Sequence, residues 1–510
     1  MRFGLSARSV ERPDRAPAAH QQAATAARVR RRRPVPILPE ALDDWPRTTR
    51  VLPWMIAGFL VMLWLIPFDT ISMTVNLPFE LKLDRIYLPF VVVVWCIALA
   101  VGGRGAPRLR LTAIHVAVGT YVSVAFLSVI LHIDWLNRQL LVQTSLKQLV
   151  LLSSYATLFL IVSSSVRKSE VRAFVNFTLI LAVLCGLGSL YEYRAHYDVF
   201  YQWSRMLFPS GIFDVPIPPA SAIDELGRRV TLGPAEAALE LATMLSLAVP
   251  IAFVGIMQAV RRRNRVLYAV AACILLAGGL TTFRKSSLIM PAVAVVILMA
   301  FKPRQVVRLA PLAVVLFVVV HILAPGAIGG VTGQLTSSQL TSVGTTAHRT
   351  SGFDAIRPFV WTHPAFGQGY GSYNANLYRI LDSQILMTTI ETGVIGLVAY
   401  LSMMLTTLFS ARRLFRHPDP QWGRVALGLG VSAMVFFTSS FLFDTMAFPH
   451  GPYIFLTLAA FVAVMVRRDE DPEASPVAHI GAPTRRVRRD EHNGRRSRLR
   501  SVRIPRRAGA

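Results

Sequence analysis

The chain has 510 residues, of which 53% are hydrophobic and only 16% are charged, and its formal net charge is +26. Its apolar residues form long runs rather than amphipathic stripes, which excludes an ordinary soluble enzyme and predicts an all-α, polytopic membrane protein. The excess arginine is concentrated in the two tails and in short segments between the apolar runs, so it indicates anionic lipid headgroups as partners rather than nucleic acid.

The apolar part is flanked by two basic tails. Residues 1–50 and 467–510 are rich in Ala, Pro and Arg and poor in aromatic residues, a composition that predicts disorder near lipid headgroups. The first tail has no apolar core followed by a small-residue cleavage site, so we expect no removable signal peptide. The membrane domain is therefore predicted to cover residues 51–466.

Three cysteines, Cys96, Cys185 and Cys273, lie far apart within apolar runs and lack the spacing of metal ligands. We interpret them as small buried hydrophobic residues.

Apolar runs long enough to cross or nearly cross a bilayer occur at about twelve places, and each predicts one helix. The first and the eighth are short for a complete span. The runs are 51–66, 86–102, 112–131, 146–164, 174–191, 235–260, 266–283, 286–301, 309–324, 385–409, 425–443 and 448–466.

The loops between these runs fall into two sets. With an even number of spans both tails lie on one side, and the loops predicted on that side are all short and rich in Arg or Lys. Short basic loops are typical of the cytoplasmic side. Both termini are therefore predicted to be cytoplasmic, and the large loop 325–384, between helices nine and ten, to be extracytoplasmic.

Two glutamates stand at the outer start of the sixth predicted helix. Glu236 and Glu240 have i, i+4 spacing, which places both carboxylates on one helix face, just after Arg228 and Arg229. Two interpretations stay open: an ion-paired start of the helix, or one wall of a polar cavity.

The turn Thr281–Ser287 contains Arg284 and Lys285 between two apolar runs. On the predicted outer side two adjacent cations violate the usual charge bias, which indicates a fixed anionic partner. A planar Arg fork beside Lys and hydroxyl groups suits a phosphate or diphosphate. The alternative is a pair of cations that extend to the membrane surface.

The loop 325–384 supplies further polar candidates, Arg349, Arg357, His363 and Tyr370. Its Gly367-Gln-Gly369-Tyr-Gly371 stretch is too weak for a nucleotide motif because no strand precedes it. We interpret these glycines as tight turns at the membrane surface, and for His363, which precedes a proline, a role in the turn is favoured over catalysis.

Two motifs occur in order around this loop: W-T-H-P-x2-G-x-G, with arginines upstream, and D-S-Q-x-L-x4-E-x-G-x-x-G, from Asp382 to Gly396. This order resembles the O-antigen polymerase and O-antigen ligase superfamily, over about a quarter of the chain. The resemblance implies a membrane glycosyltransferase of the C-type kind in a bacterial cytoplasmic membrane. Its substrates would be an undecaprenyl-diphosphate-linked oligosaccharide and an acceptor glycan. A polymerase is also expected to work with a repeat-unit flippase and a chain-length regulator.

The resemblance also implies roles for individual residues, in a reaction that requires no metal or other cofactor. The diphosphate-binding candidates are Arg229, Arg284, Lys285 and Arg357. Asp382 stands where ligases usually have a histidine-containing pair, and it is the first candidate for orienting the acceptor hydroxyl. Glu391, Glu236 and Glu240 are weaker candidates for that role.

Other function classes stay open beside a polymerase. A ligase would transfer the glycan to a different acceptor. A transporter of lipid-linked sugars would place polar groups along both leaflets, or contain broken helices in two matching halves. The uncommon charges of this sequence cluster on the predicted outer side, which favours a site on one side of the membrane.

Cysteine labelling tests the predicted orientation in a chain whose native cysteines have been replaced. We expect Ser221→Cys and Thr341→Cys to react with a membrane-impermeant maleimide in intact cells, whereas Arg262→Cys should react only after the membrane has been opened. Labelling of position 262 in intact cells would reverse the orientation.

Overall fold

The computed structural model describes residues 44–74, 81–102, 106–216, 230–307, 314, 317–318, 321–322, 357–373, 381, 383–415, 417 and 419–467. Most of residues 1–50, and all of 467–510 except Arg467, lie outside this part, so the disorder of the tails stays a prediction. The described part is mostly helical.

Its helices are α1 (Val51–Leu65), α2 (Leu83–Val101), α3 (Ala113–Leu131), α4 (Ile133–Arg138), α5 (Val142–Ser165), α6 (Lys168–Ala195), α7 (Val199–Leu207), α8 (Ala238–Gln258), α9 (Arg262–Leu280), α10 (Ser286–Phe301), α11 (Pro303–Val307), α12 (Gln384–Leu414), α13 (Pro420–Leu442) and α14 (His450–Val466). Two short strands that the sequence did not predict, β1 (Ser72–Met73) and β2 (Phe213–Asp214), pair antiparallel.

Eight described helices are long and apolar enough to cross a membrane: α2, α3, α5, α6, α8, α9, α12 and α13. Three shorter apolar helices, α1, α10 and α14, coincide with the first, eighth and twelfth runs. As predicted, the first and eighth are short, at 15 and 16 residues. These helices identify the chain as an all-α, multi-pass membrane protein.

The ninth predicted span and the large loop lie mostly outside the described residues. Only five residues of the run 309–324 are described, and the loop 325–384 is described at 357–373, 381, 383 and 384. The total of twelve spans therefore stays a prediction.

One end of the helix bundle, the Asp69 end, is formed where α1, α9 and α13 finish and where α8, α12 and α14 begin. Hydrogen bonds between side chains and backbone groups from these helix ends hold it together. They join Glu240 to His450, Gln384 to Phe443, and Thr231 to Thr281.

The opposite end, the Arg50 end, collects basic residues. Arg50, just before α1, pairs with the buried Glu170 of α6. The N–H of Arg108 donates to the Ser164 carbonyl, and the guanidinium of Arg467 donates to the Ser163 carbonyl. Three of the basic residues that the sequence predicts on one side of the membrane thus lie at one end of the bundle.

The core is centred on α8, which is almost completely buried. It packs against α6, α9, α10, α13 and α14. Because α8 has no face left for lipid, its first residue, Ala238, and its first acid, Glu240, are fixed by protein on all sides.

The helix α12 is interrupted at Gly393, whose backbone has φ +69° and ψ −169°. A broken helix inside an apolar bundle must find new partners for the backbone groups that it frees, because lipid offers none. The segment from Pro364 to Gly369 supplies them. Gln368 and Gly369 donate to the carbonyls of Ile390 and Glu391 at 2.9 and 3.0 Å, and Val394 and Ile395 donate to the carbonyls of Pro364 and Ala365 at 2.9 and 3.3 Å.

Glycine is required on both sides of this joint. A Cβ atom at Gly367 would lie 2.4 Å from the Ile390 carbonyl oxygen, and one at Gly393 would lie 2.3 Å from the Ala365 carbonyl oxygen. The hydroxyl of Ser128 on α3 lies 2.6 Å from the Phe366 carbonyl and joins a third element to the contact. The glycines of the two sequence motifs are therefore the two halves of one packed joint.

We expect Gly393→Ala to destabilise the protein by at least about 2 kcal/mol, because its backbone occupies a region almost exclusive to glycine and its Cβ would strike a carbonyl. Gly119→Ala is the matched control, since a Cβ at this α3 glycine meets no atom within 4 Å. Thermal unfolding of both purified variants in detergent measures the difference. Equal stability of the two would contradict a tight joint.

Candidate functional site

Three buried titratable side chains meet at the Asp69 end: Asp69 after α1, Glu240 in the first turn of α8, and His450 at the first residue of α14. Their exposed fractions are 1%, 1% and 0%. The Nδ1 atom of His450 lies 2.8 Å from Glu240 Oε1 and 3.9 Å from Asp69 Oδ2. This acid–histidine cluster connects three helices that are far apart in sequence.

Local structure fixes each member of the cluster. Glu240 Oε1 accepts the backbone N–H of His450 at 2.9 Å, and Oε2 accepts the N–H of Glu236 at 3.2 Å. Its carboxylate thus satisfies N–H groups at the starts of two helices, where negative charge is favoured. Phe68 packs on the His450 ring, with centroids 4.3 Å apart, and so holds the neighbouring Asp69 in place.

The electrostatics of the cluster are those of acids removed from water. Burial raises the pKa of the Asp69 carboxyl to about 7, although the attraction of His450 lowers it. Both Asp69 oxygens lack a hydrogen-bond donor among the described residues. The arrangement can hold a shared proton or a cation, since its three side chains offer ligand atoms within 4.8 Å of one another.

A second polar contact lies one turn further along α14. The Tyr453 hydroxyl lies 3.1 Å from Asp84 Oδ2 and 2.7 Å from the Ser154 hydroxyl. The Tyr453 hydroxyl thus connects α14 to α2 and α5. The start of α14 is therefore held to four neighbouring elements by buried polar groups.

The turn between α9 and α10 presents the predicted cation pair. Thr281 and Thr282 are fully buried, Arg284 is exposed and Lys285 is half-buried. Phe283 between them has a left-handed backbone, with φ +49°, and its side chain is buried. Among the described residues, no acidic side chain pairs with Arg284 or Lys285.

This turn is attached to the segment that precedes α8. The Thr231 hydroxyl lies 2.7 Å from the Thr281 hydroxyl, and the Thr231 N–H donates to the Thr281 carbonyl at 3.3 Å. The same segment is fixed to α6 by Glu192, whose carboxylate accepts the N–H groups of Leu232 and Gly233 at 3.1 and 2.8 Å. The cation turn and the start of α8 thus form one connected unit.

Three other predicted residues belong to the joint at Gly393. Glu391 is buried, and its carboxylate accepts the Tyr373 N–H at 3.4 Å. Tyr370 is also buried, and burial raises the pKa of its phenol. The His363 ring lies against His132, with centroids 4.8 Å apart. Glu391 therefore has a structural partner in the Tyr373 N–H, and Tyr370 has one in the Tyr121 ring, with centroids 6.4 Å apart.

The structure thus places the predicted residues in different settings. It brings Glu236 and Glu240 together at the start of α8, where only Glu240 is buried. Arg357 is exposed in a short helical stretch. Arg229, Arg349 and Asp382 lie outside the described residues, so their roles stay predictions.

Sequence reasoning missed Asp69 and His450. Asp69 follows the first apolar run, His450 lies inside the predicted run 448–466, and neither has a charged residue directly beside it in sequence. The available signal was Phe-Pro-His-Gly at 448–451, a histidine in the first residues of an apolar run. A charged or titratable residue at the start of such a run requires a partner.

The chain matches no protein-family model and no curated protein. The family resemblance therefore stays a prediction from the motifs.

The two glutamates of α8 can be separated by their effect on stability. Glu240→Ala should cost about 3–5 kcal/mol, because it leaves the His450 imidazole and two helix-start N–H groups without their acceptor. Glu236→Ala should change stability by less than about 0.5 kcal/mol, since its side chain is exposed. Unfolding of both variants in detergent measures this, and a similar loss in both would contradict the different settings of the two residues.

Proposed function

We propose that this chain is a membrane glycosyltransferase. It transfers a glycan from an undecaprenyl-diphosphate carrier to an acceptor sugar hydroxyl on the outer side of a bacterial cytoplasmic membrane. The observation that carries the proposal is the turn with Arg284 and Lys285, two cations at the Asp69 end that no described acid neutralises. The motif resemblance supplies the class of donor.

The Asp69 end is the proposed outer end. Arg50, Arg108 and Arg467 gather at the opposite end, and short basic segments favour the cytoplasmic side. Against this bias, Arg284 and Lys285 stand at the Asp69 end. A lipid diphosphate, whose charge lies at the membrane surface, is a partner that accounts for cations in this position.

In the proposed reaction the acceptor hydroxyl oxygen forms a bond to the anomeric carbon while the bond from that carbon to the diphosphate oxygen breaks. The lipid diphosphate leaves with the bonding electron pair, and the hydroxyl proton passes to a base. Arg284 and Lys285 stabilise the negative charge that develops on the leaving oxygen, as fixed cations do in transfer reactions. The Arg fork can bind two oxygens at once.

Asp382 is the proposed group that orients the acceptor hydroxyl. The residues on either side of it in sequence are described: Leu381 is buried, and the Ser383 hydroxyl donates to the Ser440 carbonyl at 3.4 Å, at the Asp69 end. Two of the three competing carboxylates are already engaged, Glu391 with the Tyr373 N–H and Glu240 with His450, and Glu236 is the exposed one. Arg229 and Arg357 are proposed as additional contacts to the donor.

The test is transfer by purified protein supplied with a lipid-linked repeat. We expect Arg284→Ala to insert normally but to lose at least about 100-fold in rate, the scale on which one preorganised donor to a developing charge contributes. Arg284→Lys should recover part of the rate, since Lys retains the charge without the fork.

Arg205→Ala is the matched control, because Arg205 is an exposed arginine on α7 that follows α6 at the same end. It should leave the rate unchanged. If Arg284→Ala transferred at the wild-type rate, Arg284 and Lys285 would be only a contact to the membrane surface. If the wild-type protein showed no transfer, a transporter would be favoured.

A further inference from the structure

The acid–histidine cluster of Asp69, Glu240 and His450 takes no part in the proposed transfer. Among the described residues, His450 is the only cationic partner within ion-pair distance of its two carboxylates. Two carboxylates are buried there with one imidazole. Even a protonated His450 leaves one negative charge, and an uncompensated buried charge is costly. The cluster therefore requires a further positive charge, either a proton or a metal ion.

The unused lone pairs of the Asp69 carboxylate favour a metal ion over a proton. Asp69 is 1% exposed, yet neither of its oxygens accepts a hydrogen bond from a described residue. Its Oδ2 nevertheless faces His450 Nδ1 at 3.9 Å. A carboxylate that is fixed, buried and without donors is suited to bind a cation, because both oxygens are free as ligands.

The distances suit a small divalent ion. Metal–ligand bonds of about 2.0–2.2 Å place neighbouring ligand atoms roughly 3–4 Å apart. The His450 Nδ1 atom is 2.8 Å from Glu240 and 3.9 Å from Asp69, and the ligand atoms of all three residues fall within 4.8 Å. Small shifts of these side chains are enough to surround an ion.

We propose that Asp69, Glu240 and His450 bind one divalent cation of the Mn²⁺ to Zn²⁺ range. One imidazole nitrogen favours a transition metal over Mg²⁺ or Ca²⁺, and the two carboxylates suit its charge. The ion takes the place of the proton between His450 Nδ1 and Glu240, and that proton is released to solvent. It balances both carboxylates and fastens the end of α1 to the starts of α8 and α14.

The test uses the full chain purified in detergent with an affinity tag that contains no histidine. The protein is stripped with EDTA, and ZnCl₂ or MnCl₂ is then added alone. Bound metal is measured by mass spectrometry after gel filtration, and the unfolding temperature is recorded at each concentration. We expect about one ion per chain and a higher unfolding temperature when it is bound, because a ligand that binds only the folded state stabilises it.

Asp69→Asn should weaken binding by at least about tenfold, since even loss of an outer partner of a metal ligand costs that much. It should also remove most of the thermal gain. Asp134→Asn is the matched control: Asp134 is an exposed acid on α4, outside the cluster, and this variant should bind like wild type.

Two results would overturn the proposal. One is the absence of stoichiometric Zn²⁺ or Mn²⁺ on the wild-type protein, which would leave the cluster as a proton-sharing network. The other is equal binding by folded Asp69→Asn and Asp134→Asn, which would place the ion elsewhere. If Asp69→Asn does not fold, pulsed electron paramagnetic resonance of the Mn²⁺-loaded wild type decides instead. A spectrum without coupling to an imidazole nitrogen would reject His450 as a ligand. None of these measurements requires transfer activity, so they stand apart from the proposed function.

Discussion

Backbone groups inside a bilayer must be satisfied by protein, and this requirement shapes the joint at Gly393. A continuous α12 would satisfy its own backbone, but the interruption frees carbonyls before Gly393 and N–H groups after it. The segment that begins at Pro364 meets both sets, with four hydrogen bonds of 2.9–3.3 Å. The loop and the helix are therefore a single structural unit, and neither is expected to keep its shape without the other.

Buried carboxylates must also be satisfied by protein groups, and in this chain the partners are either a guanidinium together with backbone N–H groups or backbone N–H groups alone. Glu170 receives the Arg50 guanidinium and the N–H groups of Trp45 and Arg167. Glu192 receives two backbone N–H groups from the segment before α8. Asp69 has neither kind of donor among the described residues. The contrast with these two buried acids is the reason for proposing that the Asp69 cluster binds a ligand.

Length and apolarity were enough to predict the apolar helices of the described part, because a helix in lipid must satisfy its own backbone and present apolar side chains. The run 286–301 coincides with α10, and the run 448–466 differs from α14 by two residues at its start. The motif glycines were predicted as tight turns, and Gly367 does adopt a positive φ of +68°. Its partner was not predicted, since nothing local indicates that α12 breaks at Gly393.

The acid–histidine cluster was harder to predict for a physical reason. Glu240 could be identified from the sequence because Glu236 lies one helical turn before it, which is a local pattern. Asp69 and His450 reach Glu240 only after three helices have packed, and their separation along the chain removes any periodic signal. An isolated polar residue at a helix end can be assigned to a site only from its tertiary contacts, which composition and spacing do not encode.

The segment from Val230 to Glu240 connects the two charged features of the Asp69 end. At Thr231 it is bonded to the turn that presents Arg284, and at Glu240 it is bonded to His450. The cations are exposed while the acids are enclosed, so the two do not neutralise each other. An anion bound at the turn and a cation bound in the cluster would both stabilise the same short segment.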